Sequence, residues 1–214
     1  DSVHSWYKNR FNYDVKEEWL VKTPGIVFAL ATAIRAFTEK GDGVIIQQPV
    51  YYPFSGLILG NKRRLINNPL IYKDDRYYID FDDFEEKIIR ENVKLFLLCS
   101  PHNPVARVWT REELSRLGDI CLKHGVIVVS DEIHADFVFG ENKHSIFPSI
   151  RPVYLNNTIL CTSPSKTFNM PGLQVSNIFI ADEKLRLQFK NTIRKTGYSH
   201  LNALGLVACT AAYQ

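Results

Sequence analysis

The sequence has few of the patterns that would mark a secreted, membrane or metal-binding protein. Its four cysteines, Cys99, Cys121, Cys161 and Cys209, stand singly and form no CxxC pair. This spacing provides neither a disulfide framework nor a thiolate metal site, so we expect reduced, buried thiols. No apolar run reaches the roughly 18 residues of a membrane span, and the N-terminus has no signal-peptide pattern. We therefore expect a cytoplasmic protein that does not associate with membranes.

The sequence also lacks a charge bias and a dinucleotide-binding fingerprint. Its formal net charge is only +3, from 26 Lys and Arg against 23 Asp and Glu. Basic residues gather only at 62–64 and 184–195, which we interpret as solvated surfaces, so a nucleic-acid partner is not expected. Gly25, Gly41 and Gly43 do not follow the G-x-G-x-x-G order of a dinucleotide loop.

Short β-branched runs alternate with amphipathic stretches along the 214 residues. The runs at 44–47, 95–99, 126–130, 158–161 and 177–180 are typical of strands buried on both faces. The segments 28–38, 82–90, 111–124 and 183–196 have apolar residues at helical spacing, and Thr110 with Glu113 predicts a capping box. This alternation predicts one α/β domain with a mostly parallel sheet covered on both faces.

Polar side chains follow several of the predicted strands. Because ligands in open parallel sheets bind beyond the carboxyl ends of strands, we expect these side chains to converge at one edge. A further segment, 23–27, opens a helix and offers backbone N–H groups suited to a phosphate. The strand-end segments are Pro49-Val50-Tyr51, Ser100-Pro101-His102-Asn103-Pro104, Ser130-Asp131-Glu132-Ile133-His134 and Ser163-Pro164-Ser165-Lys166.

Each of these residues also has an ordinary structural interpretation. Asp131 could cap a helix, while Tyr51 and His134 could be interior residues. Asn103-Pro104 could mark a turn, and Lys166 could be an exposed lysine. These interpretations together would require several coincidences along one sheet edge, which favours a functional site.

A metal site was the other possibility at this edge. His102, Asp131 and His134 have the chemistry of metal ligands. No closed ligand set or second pair of ligands accompanies them in the sequence, so we expect no metal.

The four strand-end segments, in their order and spacing, resemble those of the fold-type I pyridoxal 5'-phosphate (PLP) enzymes of the class I/II aminotransferase superfamily. The runs 48–54 and 100–108, with Ser130 to His134 and the segment around Lys166, are similar to the cystathionine β-lyase (C–S lyase) branch, the MalY/PatB type. The resemblance covers nearly the whole chain. It implies the three-layer α/β/α large domain of a PLP-dependent transferase, with a seven-stranded sheet.

The resemblance implies a role for each matching residue. Lys166 resembles the family's Schiff-base lysine and is the implied catalytic residue. Asp131 matches the carboxylate that faces the pyridine nitrogen, and Tyr51 matches the aromatic stacked on the ring. Asn103 and His134 match the groups near the phenolic oxygen of PLP. The phosphate cup is implied to consist of Ser163, Ser165 and the backbone amides of Ile26 and Val27.

The implied activity is a PLP-dependent C–S β-lyase that converts cystathionine or a cysteine S-conjugate into a thiol, pyruvate and ammonia. Two alternatives remain open: an aminotransferase, and a non-catalytic PLP-binding regulatory protein. Gln174 stands where aspartate-type aminotransferases have an arginine, which agrees with the lyase branch. Ala106 stands where the family usually has glycine, which puts a positive φ there in doubt.

The resemblance also bears on domain content. Family members are longer, with an N-terminal arm and a C-terminal small domain that carries the arginine for the substrate carboxylate. We expect residues 1–214 to form the PLP-binding large domain of a homodimeric enzyme, with the arm and the small domain absent. Such a chain alone would lack part of the machinery that grips the amino-acid substrate.

Overall fold

A computed structural model describes residues 2–214, which form a seven-stranded sheet between two layers of helices. The helices are α1 Ser2–Phe11, α2 Ile26–Phe37, α3 Pro53–Gly60, α4 Phe81–Arg90, α5 Arg111–Lys123, α6 Pro164–Thr167, α7 Glu183–Lys195 and α8 Ala203–Ala212. The strands are β1 Leu20–Thr23, β2 Gly43–Ile46, β3 Arg64–Asn67, β4 Ile71–Lys73, β5 Arg76–Tyr78, β6 Val93–Cys99, β7 Ile127–Asp131, β8 Thr158–Thr162 and β9 Ser176–Phe179. Short 3-10 helices occupy Glu17–Trp19, Phe147–Ser149, Pro152–Asn156 and Pro171–Leu173.

The main sheet has the strand order β1-β9-β8-β7-β6-β2-β3, and β4 and β5 form a separate hairpin. The strands from β8 to β3 pair in parallel, whereas β9 is antiparallel to both β8 and β1. The predicted mostly parallel, seven-stranded sheet is therefore confirmed. Because β9 is reversed, its beginning lies at the edge where the parallel strands end.

Strand β6 shows how the sheet is buried on both faces. Leu95, Leu97 and Cys99 pack into the core cluster that contains α2, whereas Phe96 and Leu98 pack into the cluster that contains α4 and α5. All five side chains are at most 3% exposed. Burying each large apolar side chain contributes about 1.5–3 kcal/mol, so the two clusters hold the sheet as a firm base for the loops at its edge.

The predicted elements are confirmed with small shifts of their ends. The five predicted strands and four predicted helices all occur, with boundaries within two residues of the prediction. The capping box of α5 is present: Glu113 N–H donates to Thr110 Oγ1 at 3.1 Å, and Thr110 N–H donates to Glu113 Oε2 at 2.7 Å. The two bonds satisfy helix N–H groups that have no partner inside the helix.

All four cysteines are buried free thiols, as predicted. Within residues 2–214, no helix combines the length and the hydropathy needed to cross a bilayer.

Candidate active site

A cleft of about 300 Å³ opens at the carboxyl edge of the sheet, where β6 and β7 end. Its volume is at the small end of the range for cofactor and ligand pockets. Eight of the nine predicted site residues line it: Ile26, Val27, Tyr51, Asn103, Asp131, His134, Ser165 and Lys166. The structure therefore brings together side chains that are up to 140 positions apart in sequence, from 26 to 166.

Lys166 is presented to this cleft by α6, a helix of only four residues that Ser163 caps. The Ser163 hydroxyl accepts from the Ser165 N–H at 3.1 Å and donates to the Val175 carbonyl at 2.8 Å. Ser163 is buried and is not among the cleft-lining residues, whereas Ser165 is. Ser163 therefore stabilises the start of α6 without lining the cleft, and Ser165 and Lys166 form this wall of the cleft.

Asp131 ends β7 and places a buried carboxylate at the cleft. Burial raises the pKa of Asp131 to about 7, although the Ile133 N–H, which donates to Oδ1 at 3.2 Å, and the Lys166 ammonium lower it. Desolvation disfavours the charged carboxylate, and a nearby cation favours it. A ligand that brings a positive charge, such as a protonated ring nitrogen, would therefore be stabilised beside Asp131.

His134 and Tyr51 contribute a neutral donor and a flat wall. Burial, and secondarily the Lys166 ammonium, lowers the pKa of His134, so its imidazole is neutral near pH 7 and can donate one hydrogen bond. The Tyr51 ring packs edge-on against Phe54, with centroids 6.2 Å apart. Burial also raises the pKa of the Tyr51 phenol, which keeps the ring uncharged. Asn103 follows β6. Asn103 and His134 both line the cleft and also a second groove beside it, so the two residues lie on the same side of the cleft.

The first turn of α2 supplies an anion-binding element. Gly25 is the N-cap of this 12-residue helix and provides no side-chain cap, so the N–H groups of the first turn lack that partner. Ile26 and Val27 begin the helix and line the cleft together with Ser165. Unpaired N–H groups at the positive end of a helix dipole favour a phosphate.

These groups fit PLP by the chemistry of their donors and acceptors. Lys166 provides an amine for an aldehyde, Asp131 an anion for a ring nitrogen, and the start of α2 a place for a phosphate. They do not fit a metal: within residues 2–214, no three potential His, Cys, Asp or Glu ligands come together. His102 instead bonds the Pro49 carbonyl through Nε2 at 3.0 Å, and burial lowers its pKa to about 4.

Several cleft residues were not predicted from the sequence. Cys99 is the last residue of β6, and Ile133 follows Asp131 by two positions, so both lay inside segments already considered. Gln174 precedes β9 and reaches the cleft because that strand is reversed, a direction that hydrophobic pattern does not reveal. Pro24, Gly25 and Pro171 complete the lining.

Two non-glycine residues near the site adopt a left-handed backbone. Gln174 has φ 45°, and Ala106 has φ 55°. The doubt about a positive φ at Ala106 is thus corrected: alanine occupies that conformation here, at a steric cost that glycine would avoid.

Glu132, beside Asp131, belongs to a buried network that was also not predicted. Its Oε1 accepts from Ser130 Oγ at 2.8 Å and from the Phe147 N–H at 2.9 Å. Its Oε2 lies 2.6 Å from His144 Nε2, and both side chains are at most 2% exposed. The carboxylate therefore ties the segment 144–147 to the end of β7, directly behind the site.

Comparison with known proteins identifies the family of the chain. The family described as aminotransferase class I and II matches residues 2–214. Cystathionine beta-lyase PatB of Bacillus subtilis is 46% identical over 213 residues, covering 100% of this chain and 55% of that protein. Protein MalY of Escherichia coli is 33% identical, covering 100% of this chain and 54% of that protein.

Solved structures of known proteins also have this fold. The structure of cystalysin from Treponema denticola, which contains a PLP cofactor, has a TM-score of 0.97 to this fold at 42% identity. The match covers 99% of this chain and 54% of that one. The chain therefore spans about half the length of the relatives it matches.

Proposed function

The chain belongs to the class I and II aminotransferase family, and we propose that its protein is a PLP-dependent C–S β-lyase. The reaction would convert cystathionine or another cysteine S-conjugate, with water, into a thiol, pyruvate and ammonia. The observation that carries this proposal is the convergence of Lys166 and the buried Asp131 in one cleft. The 46% identity to a cystathionine beta-lyase supports the lyase assignment within the family.

We propose a division of labour among the cleft residues. Bound PLP would supply an electron sink for negative charge at the substrate α-carbon. Asp131 would hold the ring nitrogen in its protonated form; at about 4 Å and an effective dielectric of 20, such a pair is worth roughly 4 kcal/mol. Lys166 Nζ would take the α-proton of the substrate and hold it during the departure of the β-substituent.

The remaining residues would bind and orient. Asn103 and His134 would donate hydrogen bonds to the phenolic oxygen, and Tyr51 would cover the ring with its flat face. The phosphate would lie at the amides of Ile26 and Val27. Ser165 would add its hydroxyl there, and Ser163 would support it through the cap of α6.

A sulfur substituent suits elimination because thiols titrate near 8.5, so a thiolate is a moderately good leaving group. Gln174 supports a lyase over an aspartate-type aminotransferase. The family resemblance places an arginine at this position in the latter, and Gln174 lines the cleft rather than lying elsewhere. The substrate class is therefore proposed to be sulfur-containing amino acids.

We further propose that these residues form the cofactor-binding large domain of a cytoplasmic homodimer. Four buried free thiols suit a reducing compartment. Tyr52 lies just before α3 and Leu59 lies on it, and they are 82% and 60% exposed. These two side chains offer apolar surface for a second subunit. Size determination of the full-length protein tests the assembly.

The activity is tested with the full-length protein, PLP and cystathionine. We expect pyruvate and free thiol in equal amounts, and borohydride reduction should fix PLP on Lys166, identified by peptide mapping. Lys166→Ala should remove both signals. A label on another lysine would overturn the site.

The alternatives have distinct outcomes in the same experiment. Amino-group transfer to a 2-oxo acid without thiol release would favour an aminotransferase. Trapping at Lys166 with neither reaction would favour a non-catalytic PLP-binding protein.

A further inference from the structure

The turn that follows β7 is bonded to the helix that carries Lys166. Thr167 Oγ1 donates to Asp136 Oδ2 at 2.7 Å. Arg10 Nε, on α1, donates to the other oxygen, Oδ1, at 3.2 Å. The Asp136 side chain is only 13% exposed, so its carboxylate bridges three chain segments from a mostly buried position.

Asp136 belongs to the same turn as the residues of the opposite cleft wall. The Ala135 N–H donates to the Glu132 carbonyl at 3.0 Å, and the Phe137 N–H donates to the His134 carbonyl at 2.9 Å. These bonds fix Asp136 relative to the end of β7. A hydrogen bond from Asp136 to α6 therefore links the Asp131 and His134 side of the cleft to the Lys166 side.

Helix α6 needs such an anchor because it is too short to hold its own orientation. Its four residues make one turn, and isolated turns are unstable in water. Ser163 fixes the beginning of the helix through the Ser165 N–H. The Thr167 hydroxyl fixes its end, one residue after Lys166.

We propose that Asp136 is a positioning residue that sets the location of Lys166 Nζ in the cleft through its hydrogen bond to Thr167. The proposal rests on the proposed function of Lys166, and neither the family match nor the motif resemblance assigns Asp136 a role. The operative contact is the bond to Thr167 rather than the pair with Arg10. Arg10 is 55% exposed, and exposed ion pairs are screened by water and salt.

The test compares five single variants of the full-length protein and one double variant, Asp136→Ala with Thr167→Val. Asp136→Ala and Thr167→Val remove the bond, whereas Asp136→Asn and Thr167→Ser keep an acceptor or a donor. Arg10→Ala is the matched control, because it removes the other contact of the same carboxylate. Turnover is measured per Lys166 that can be trapped with PLP and borohydride, which corrects for protein lost to misfolding.

Asp136→Ala and Thr167→Val are each expected to lower this normalised kcat on the order of 10- to 100-fold, because small misplacements of a reacting group have effects of that size. KM should change less than about threefold, and trapping at Lys166 should be slower in both variants. The double variant should lose no more than Asp136→Ala alone, since both changes break one bond. Asp136→Asn, Thr167→Ser and Arg10→Ala should remain within about threefold of the unmodified protein.

The outcomes separate this inference from the proposed function. If the unmodified protein traps no PLP at Lys166, the proposed function fails. If it traps PLP and turns over, but the loss in Asp136→Ala disappears on normalisation, Asp136 is only a structural residue and the inference fails. A loss in Asp136→Asn or Arg10→Ala as large as in Asp136→Ala would also overturn it.

Discussion

Asp131 is the residue at which fold stability and proposed function oppose each other. Asp131 is 4% exposed, and the Ile133 N–H and the Lys166 ammonium only partly offset the burial of its carboxylate. Desolvation of the carboxylate therefore costs folding free energy in the protein without ligand. On the proposed function, a bound pyridinium would compensate for this cost.

This opposition predicts how stability depends on pH. The pKa of Asp131 is raised from 3.8 to about 7, so between these values the folded protein holds a proton that the unfolded chain has released. The contribution of Asp131 to stability therefore falls as pH rises from about 4 to 7, by at most about 4 kcal/mol, and is constant above pH 7. Asp131→Asn should remove this dependence.

Urea unfolding of the ligand-free protein at several pH values measures the effect. Asp131→Asn should match the unmodified protein near pH 4 and be more stable by a few kcal/mol at pH 8. Asp74→Asn, at an exposed position, removes the same formal charge and is the control variant. A stability gap for Asp131→Asn that does not widen with pH would contradict the buried-carboxylate interpretation.

Ala106 gives a second prediction at the residue scale. It is exposed and has φ 55°, a conformation that costs a non-glycine residue about 1 kcal/mol. Ala106→Gly should stabilise the protein by roughly 0.5–1 kcal/mol, as measured by urea unfolding. Ala211→Gly, at an exposed helical position of α8, should instead destabilise by about 1 kcal/mol. Equal effects at both positions would argue against backbone strain at Ala106.

At the scale of elements, the sequence predicted those with strong periodicity and missed those without it. Strands β6 and β7 contain continuous apolar runs, and α5 begins with a capping box, so their positions followed from local pattern. Strand β3 begins with exposed Arg64, and the β4–β5 hairpin is largely exposed, so neither has an apolar signature. Strand pairing supplies their stability, because β3 pairs with β2 and β4 pairs with β5, and such pairing leaves no apolar pattern in the single strand.

The site residues divide in the same way, into those that an apolar strand pattern locates and those that it does not. Residues after the apolar strands, such as Asp131 and Lys166, could be located because a parallel sheet brings its strand ends together. Gln174 was singled out only through the family resemblance, because its place at the cleft depends on the reversed direction of β9, which the apolar pattern does not show. The sequence also did not show that the Ser163 hydroxyl bonds the Ser165 N–H and the Val175 carbonyl and that Ser163 does not line the cleft.

The Glu132 network predicts how strongly one loop is attached to the sheet. Glu132→Ala would leave the Ser130 hydroxyl, the Phe147 N–H and His144 without their buried partner. A loss of about 3–5 kcal/mol in the free energy of unfolding is expected, because unpaired buried polar groups are costly. Glu132→Gln, which keeps one acceptor oxygen, should lose less.

An exposed glutamate provides the comparison. Glu86 pairs with Arg90 on α4, and its side chain is 68% exposed. Glu86→Ala should change the free energy of unfolding by less than about 0.5 kcal/mol. A Glu132→Ala loss no larger than this would mean that the segment 144–147 is held by other contacts.

At the scale of the whole molecule, the cleft is lined by parts of the chain that are far apart in sequence. Its walls come from the start of α2, the ends of β6 and β7, and α6. A ligand that contacts all of them adds cross-links between segments from both halves of the sequence. Binding should therefore stabilise the entire fold rather than one loop.

PLP should accordingly raise the melting temperature of the protein. At a concentration 100 times its Kd, a ligand that binds only the folded state adds about 2.7 kcal/mol. For a domain of this size, that corresponds to a shift of roughly 5–10 °C, measurable by calorimetry or fluorescence.

Lys166→Ala should abolish most of the shift at the same PLP concentration, because it removes the amine that receives the aldehyde. Lys184→Ala, at an exposed lysine of α7, should retain the full shift, since PLP that reacts with surface amines gains no contact with the cleft. Equal shifts in the two lysine variants would mean that PLP stabilises the protein from outside the cleft. This result would contradict the proposed role of Lys166.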